Sequence, residues 1–503
     1  MSAPATRTRA PRVARAGAAG VVALAGVALA LSYPEADLTP LAWVSVAPLL
    51  VVAGRARVAG GAALGALFGA AFFGVLIEWI HHVGWVAWAL LVALQASFLA
   101  AFGAAWAFVA PRTPSWARPV VAASLWVAVE AARASFPLGG FSWGQLAQSQ
   151  HDAAWVLRAA AVGGGWAVAW LVVACNALLS EAWARRRAAR RALGLAALAA
   201  LVAAAPAALP HPAAGGARVR VAIVQGNVPR AFAGPLFDKE MAITSSHARL
   251  TETVAGRDVD LVVWPESAVG LDPQRVAPAR ARIESAARAA SAPMIVGANL
   301  DVDDDRYRVV ALHVSPEGRV VDRYVKTHLV PFGEYVPGRD ALAWIPMLDQ
   351  VPRDAVPGDD PTLFRIAGGT VAPVISFEGD FGPLVRDRIA RGGRLLVVAT
   401  NTSTWAESWA SAQHVAFSQV RAAENGVWVA HAAISGISAF VRPDGSVASS
   451  TGLWTAESLV HDVEFARAPT FYARTGDWLP VASLAVAVVA FVAAARGRVR
   501  RKR

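Results

Sequence analysis

The sequence predicts a chain of two fold classes: a multi-pass α-helical membrane domain of about eight spans and an external, layered α/β domain. Three observations carry this. Hydrophobic residues make up 56% of the 503 residues and charged residues only 17%, against about 25% charged in soluble domains. Apolar, Gly/Ala-rich stretches fall near 17–33, 38–54, 58–78, 84–110, 119–134, 154–179, 192–210 and 478–495, and about 20 apolar residues cross a hydrocarbon core. Between the seventh and eighth stretches the composition turns to mixed charge, with short β-branched runs that end in polar turns. The implied organisation is a membrane domain over 1–210, an external domain over 211–475, and a final helix with a basic tail over 476–503.

The first apolar stretch follows an Arg-bearing start, as a signal peptide does. Six more stretches follow it before the insertion, the next after only a few residues, so it reads as a span. Basic residues occupy every second connection: Arg7, Arg9, Arg12 and Arg15, then Arg55 and Arg57, then Arg112 and Arg118, then the cluster at 185–191, and last the tail RGRVRRKR at 496–503. The intervening loops carry Glu35 and Asp37, His81 and His82, or the Gly/Trp/Gln-rich segment 136–152. The positive-inside rule therefore places both termini in the cytoplasm and the insertion outside, in a protein of the cytoplasmic membrane. The net charge of +11, from 47 basic and 36 acidic residues, is read as topology. It does not suggest nucleic-acid binding, because the Arg clusters abut spans and do not form one face of a soluble domain.

Within the insertion, 219–227, 259–266, 292–299, 370–378 and 393–401 read as buried strands, and 276–290 and 411–424 as helices. The segments 308–325 and 440–450 read as hairpins, turning at Pro-Glu-Gly and Asp-Gly. There is no internal repeat and no glycine-rich phosphate loop. The single cysteine, Cys175, excludes an intrachain disulfide. It lies in the sixth predicted span, on the far side of the bilayer from the external domain, and reads as a small packing residue.

Three strand ends bear chemistry, where α/β folds gather reactive groups. VVWPESA places Glu266 after a run of apolar residues, VKTHLVPFGEYVP carries Lys326 and Glu334, and VISFEGDF carries Ser376 and Glu378. The chain has only three lysines, Lys239, Lys326 and Lys502, and uses Arg elsewhere. A lysine is a compact charge with rotatable donors, suited to an oxyanion. Taken singly, Glu266 also reads as a capping or salt-bridged carboxylate, Lys326 as a surface lysine and Ser376 as a small strand-end residue. No metal cluster is apparent: His81 and His82 lack further ligands nearby, and DVDDD at 301–305 lacks the glycine and terminal glutamate of a calcium loop.

Together, WPE at 264–266, Lys326 before HLVPFGEYVP, and the strand ending in Ser376 and Glu378 resemble the Glu–Lys–Cys triad of the nitrilase superfamily. With the surrounding spans, the chain resembles the apolipoprotein N-acyltransferase family over nearly its whole length. FPLGGFSWGQLAQSQ (136–150), QGNVP (225–229), QH followed by RAAENG (413–426) and SGISA (435–439) are similar to further signatures of that family. The resemblance implies a nitrilase-like αββα sandwich and an acyltransferase without cofactor or metal. It would move a fatty acyl group from a membrane phospholipid, through an acyl-enzyme, to the N-terminal amine of a diacylglyceryl-modified lipoprotein. By the same resemblance Glu266 is the proton acceptor, Lys326 the oxyanion stabiliser and Ser376 the nucleophile position, with Glu334 and Glu378 in support. The loops near 81–83 and 136–152 would rim a lipid portal. Glu78, Glu130 and Arg133, in or beside spans, are further candidates for function or for simple pairing.

The pattern is broken where it matters chemically. The family's nucleophile is a cysteine, and Ser376 occupies that position. A hydroxyl is a far poorer acid than a thiol of pKa about 8.5 and needs stronger base assistance. In addition, 228–240 lacks the family's usual Trp, and NTSTWAES (401–408) departs from its Asn-Asp-x-Trp-Phe-Gly pattern while keeping Asn401. Three functions stay open at this level: a serine-dependent acyltransferase, a catalytically impaired scaffold or lipid-binding partner (for example of a polyprenol-phosphate mannosyltransferase), and a membrane-tethered amidase or esterase. Retention of Glu266, Lys326, Glu334 and Glu378 argues against decay, since buried charges are costly to keep without use.

Overall fold

A computed structural model describes residues 12–211, 215–366 and 368–500. Arg7, Arg9 and the last three residues of the basic tail lie outside the described residues. The chain divides into two compact units. The first holds the described residues up to Arg133, Ala169–Ala205 and those from Leu479 onward, and the second holds Ala134–Val168 and Pro206–Trp478.

Among the described residues, five helices are long and apolar enough to cross a membrane: Val58–Leu76, Trp85–Arg112, Gly165–Ala184, Ala189–Ala208 and Trp478–Gly497. Other apolar stretches form shorter pieces, for identifiable reasons. The stretch 38–54 carries prolines at helix starts and breaks into Thr39–Leu41, Ala42–Ser45 and Ala47–Ala53. The amides of Val46 and Ala47 at that break both donate to Asn176 Oδ1 at 2.9 Å. The stretch 154–179 breaks at Gly164, whose φ of +70° suits glycine, and only Gly165–Ala184 is long. The stretch 119–134 becomes the 16-residue helix Arg118–Arg133. Two of the long helices pack through glycine: a Cβ on Gly65 would lie 2.0 Å from the Leu99 carbonyl oxygen, and one on Gly103 would lie 2.2 Å from that of Gly61. Such close backbone approach is the usual way membrane helices gain packing.

The second unit contains thirteen strands among its described residues: β1 Arg218–Gln225, β2 Leu261–Val269, β3 Met294–Asp301, β4 Arg306–Val314, β5 Val320–Val325, β6 Asp354–Ala355, β7 Phe364–Ile366, β8 Gly369–Ile375, β9 Leu395–Thr400, β10 Val429–Ala433, β11 Ala439–Val441, β12 Val447–Ser450 and β13 Glu457–Glu464. One sheet runs β13-β1-β2-β3-β4-β5 with β6 beside β4, and the other runs β12-β11-β10-β9-β8-β7. The central pairs β1–β2–β3 and β8–β9–β10 are parallel.

Side chains alternate across each strand. Val221, Ile223, Val263 and Ile295 of one sheet meet Ile375, Leu395, Val397 and Ala430 of the other in a shared core. On the opposite face of the first sheet, Val224, Val262, Trp264 and Val296 pack beneath Ile283, Ala286 and Ala287 of the helix Ala277–Ala290. Val374, Leu396 and Val398 pack likewise against Val385 and Ile389 of Gly382–Ala390, and against Val415 and Ala422 of Ala410–Asn425. The result is four layers, α–β–β–α, with central strands apolar on both faces because both faces are covered. The sequence places 136–152 among the loops of the membrane region. In the structure 134–168 groups with the second unit, held by polar anchors: Trp143 Nε1 donates to Gln413 Oε1 at 2.6 Å, and the Gly165 amide to Glu424 Oε1 at 2.6 Å.

Candidate active site

Lys326 directly follows β5, and its backbone is tied on both sides, its amide to the Val309 carbonyl at 2.9 Å and its carbonyl to the Gly358 amide at 2.8 Å. Its side chain is 1% exposed, and Nζ donates to Glu266 Oε1 at 3.0 Å and to Glu334 Oε1 at 2.5 Å. Glu266 reaches it from an irregular part of β2. The register with β3 runs through Trp264, breaks, and resumes at Val269, and Ser267 inside the break has φ +57°. β3 accommodates the bulge with glycine: a Cβ on Gly297 would lie 2.0 Å from the Pro265 carbonyl oxygen and 2.7 Å from Glu266 Cα. Glu334 is held by its own loop, where Oε2 accepts from the Val330 amide at 2.7 Å.

Ser376 begins a turn of 3-10 helix at the end of β8, with φ +51°, a costly conformation for a residue with a side chain. It stays there because Glu378, fully buried, clamps the elbow. Glu378 Oε2 accepts from the Ile375 amide at 2.8 Å. Its Oε1 accepts from the Tyr324 hydroxyl at 2.6 Å, the Thr327 amide and hydroxyl at 2.8 Å, and the His328 amide at 3.1 Å. One carboxylate thus joins the elbow of Ser376 to the strand end that carries Lys326. The Ser376 hydroxyl lies half-buried, 3.1 Å from Thr400 Oγ1 at the end of β9, and close enough to Glu266 to favour that carboxylate's ionised form.

The electrostatics suit acid–base work. Burial pushes the Glu266 carboxyl above its ordinary range, Lys326 pulls it back, and the like charge of Glu334 adds to the upward push. Burial opposes the Lys326 charge, but Glu266 and Glu334 outweigh it, so the ammonium titrates above an ordinary lysine. The result is a permanent cation beside a carboxylate able to exchange protons, facing a hydroxyl on a strained turn. That arrangement can open an acyl bond by nucleophilic attack and hold the resulting oxyanion.

The structure brings together all five residues singled out from the sequence: Glu266, Lys326 and Glu334 by direct ion pairs, Ser376 beside Glu266, and Glu378 beneath both arms. Cys175 belongs to the first unit, buried in Gly165–Ala184 with Sγ donating to the Ala199 carbonyl at 3.3 Å. Sequence reasoning passed over several neighbours. Asn401 donates its amide to Glu266 Oε2 at 2.9 Å; the retained Asn in an otherwise divergent NTSTWAES was the available signal. Thr400 and His414 contact each other at 3.2 Å, and His414 Nε2 lies 3.1 Å from Asp380 Oδ1. Burial pushes the Asp380 carboxyl up, and His414 opposes it. Asp380 and Thr400 carried no signal, and His414 stood out only as part of QH.

Two family models match the chain: the apolipoprotein N-acyltransferase N-terminal domain over residues 25–178 and the carbon-nitrogen hydrolase over 220–471. The second accounts for the α–β–β–α unit as a nitrilase-like domain. The chain is similar to a protein of Geobacter metallireducens named apolipoprotein N-acyltransferase, 31% identical over 93% of this chain and 94% of that one. Proteins of the same name from Gloeobacter violaceus and Mycolicibacterium smegmatis are 29% and 32% identical, covering 95% and 93% of this chain and 95% and 83% of their own.

Proposed function

The chain belongs to the apolipoprotein N-acyltransferase family, and we propose that it transfers a fatty acyl group from a membrane phospholipid to the N-terminal amine of diacylglyceryl-cysteine in bacterial lipoproteins. The observation that carries this is the convergence of Glu266 and Lys326 on the elbow of Ser376. Ser376 Oγ attacks the phospholipid ester while a neighbouring base takes its proton and passes it to the departing lysophospholipid oxygen, and Lys326 Nζ stabilises the tetrahedral oxyanion. Collapse releases the lysophospholipid and leaves an acyl-serine. The lipoprotein amine attacks that ester, Glu266 accepts the amine proton, and it returns the proton to Ser376 Oγ as the amide forms. Glu334 holds the ammonium in place, and Glu378 holds the elbow. The ion-paired cluster supports catalysis over a scaffold role, because a released site has no reason to keep a lysine buried between two carboxylates.

In the proposed arrangement the chain crosses the cytoplasmic membrane about eight times, with both termini cytoplasmic and the α/β domain outside. The membrane domain covers 1–210, the catalytic domain 211–475 and the last helix and tail 476–503. The five long apolar helices support a membrane location. Complementation of an N-acyltransferase-depleted strain, with mass spectrometry of lipoprotein N-termini, tests the reaction. Wild type is expected to N-acylate, and Ser376→Ala to yield only diacylated termini. Equal products from the two would remove Ser376 from the mechanism, and N-acylation by Ser376→Cys alone would make the native chain inactive.

A further inference from the structure

Glu266 is a constrained base for a hydroxyl. One of its oxygens holds the Lys326 ammonium and the other the Asn401 amide, so the Ser376 proton could reach it only on a lone pair those donors leave over. On another side of Ser376 lies a second acceptor path. Ser376 Oγ is 3.1 Å from Thr400 Oγ1, Thr400 Oγ1 is 3.2 Å from His414 Nδ1, and His414 Nε2 is 3.1 Å from Asp380 Oδ1. Thr400 and Asp380 are 0% exposed and His414 3%. Both Asp380 oxygens lack a well-aligned hydrogen-bond donor among the described residues, and the contact with His414 Nε2 is an ion-pair distance.

One tautomer serves the whole path. An ionised Asp380 can only accept, which puts the imidazole proton on Nε2 and leaves Nδ1 free to accept from the Thr400 hydroxyl. Thr400 Oγ1 is then left as an acceptor for the Ser376 O–H. The ring is fixed by its neighbours. Trp143 stacks on it at 5.9 Å and 10°, with Phe417 and His431 edge-on, and Trp143 is itself tied to Gln413.

We propose that Thr400, backed by His414 and Asp380, relays the proton of Ser376 during acylation, a Ser–His–Asp logic with one hydroxyl interposed. The proposal rests on Ser376 as the acyl-carrying residue. As Oγ bonds to the ester carbonyl carbon, its proton passes to Thr400 Oγ1 and the Thr400 proton to His414 Nδ1, and Asp380 holds the imidazolium. When the ester C–O bond breaks, the proton returns by the same path to the departing alkoxide. Glu266 is then kept for the attacking amine. Thr400 touches the reacting oxygen, while His414 and Asp380 are positioning residues that act through it. The relay answers the demand of a hydroxyl; a thiol, already acidic, has little use for it.

The test uses the full-length protein in detergent and a p-nitrophenyl ester of a medium-chain fatty acid. The burst of nitrophenolate reads acylation, and mass spectrometry locates the acyl group. Wild type is expected to burst with the adduct on Ser376. Thr400→Val slows the burst about 100-fold or more, the scale of one general-base contribution. Thr400→Ser restores it to within a few-fold, and His414→Gln slows it about as much as Thr400→Val without adding to it. In a Ser376→Cys background, Thr400→Val changes the burst by less than about threefold. Equal slowing in the serine and cysteine backgrounds would make Thr400 structural and overturn the relay, as would an unslowed Thr400→Val or a wild type without adduct on Ser376. A Thr400-dependent burst without N-acylated lipoprotein would instead refute the acyl-transfer reading and leave the relay standing.

Discussion

Replacing Lys326 with Met tests the ion cluster directly. Met keeps most of the side chain's length and removes the charge with its hydrogen-bond donors, leaving Glu266 and Glu334 facing each other in a site where Glu266, Glu334 and Lys326 are 8%, 14% and 1% exposed. Breaking a buried pair by removing one partner costs about 3–5 kcal/mol. At about 2–4 °C per kcal/mol for a domain of this size, the unfolding midpoint of the α/β domain falls by about 6–20 °C near pH 8. The loss is pH-dependent, and its sign follows from linkage. Without the ammonium, the upward push of burial and of the Glu334 charge on the Glu266 carboxyl goes unopposed, so its folded-state pKa lies further above its unfolded value. Its neutral form is tolerated at low pH, and stability is lost as pH rises through the folded pKa. The deficit relative to wild type is therefore small near pH 5 and full near pH 8. Thermal unfolding followed by tryptophan fluorescence is a suitable assay, since Trp264 is fully buried in β2 with Nε1 bonded to Thr251 Oγ1 at 2.8 Å. A deficit below about 2 °C at pH 8, or one independent of pH, would refute a buried charge cluster.

Because the base that takes the amine proton must be ionised, the acid limb of kcat/KM for the amine acceptor is expected above the ordinary glutamate value: burial raises Glu266, and activity falls as pH drops through that raised pKa. Glu334→Gln removes one cause of the rise, so the limb moves to lower pH; a limb that stays in place would separate Glu334 from Glu266. Gly297→Ala drives a methyl into the Pro265 carbonyl, costing about 1–3 kcal/mol as overpacking and lowering the rate of transfer to the amine by displacing Glu266. An unchanged rate would show the bulge to be free of function.

Much of this was legible in the sequence for local reasons. The nearly continuous apolar runs within 219–227, 259–266 and 393–401 are a property of each segment, and they mark strands buried on both faces, as a layered domain requires. Lys326 stood out because the chain otherwise uses Arg, and Glu266, Ser376 and Glu378 because each sits where an apolar run ends. The spans were less legible. Pro and Gly broke the stretches 38–54 and 154–179 at positions where composition alone reads as continuous. Glu378 was singled out as an acidic support, but only the fold shows what it holds: five donors drawn from 324–328 and 375.

Composition and periodicity by themselves determined that a membrane-type region carries an inserted α/β domain, which strand ends bear chemistry, and that a hydroxyl stands where a thiol is expected. Each of those facts is written in residues adjacent in the chain. Tertiary structure alone decided that 134–168 packs with the α/β domain, that Gly297 makes room for Glu266, and that Asp380, Thr400 and His414 line up behind Ser376. The relay residues come from the elbow after β8, the end of β9 and the helix Ala410–Asn425. No local pattern marks them, because their hydrogen-bond distances exist only once two parallel strands and a covering helix have packed.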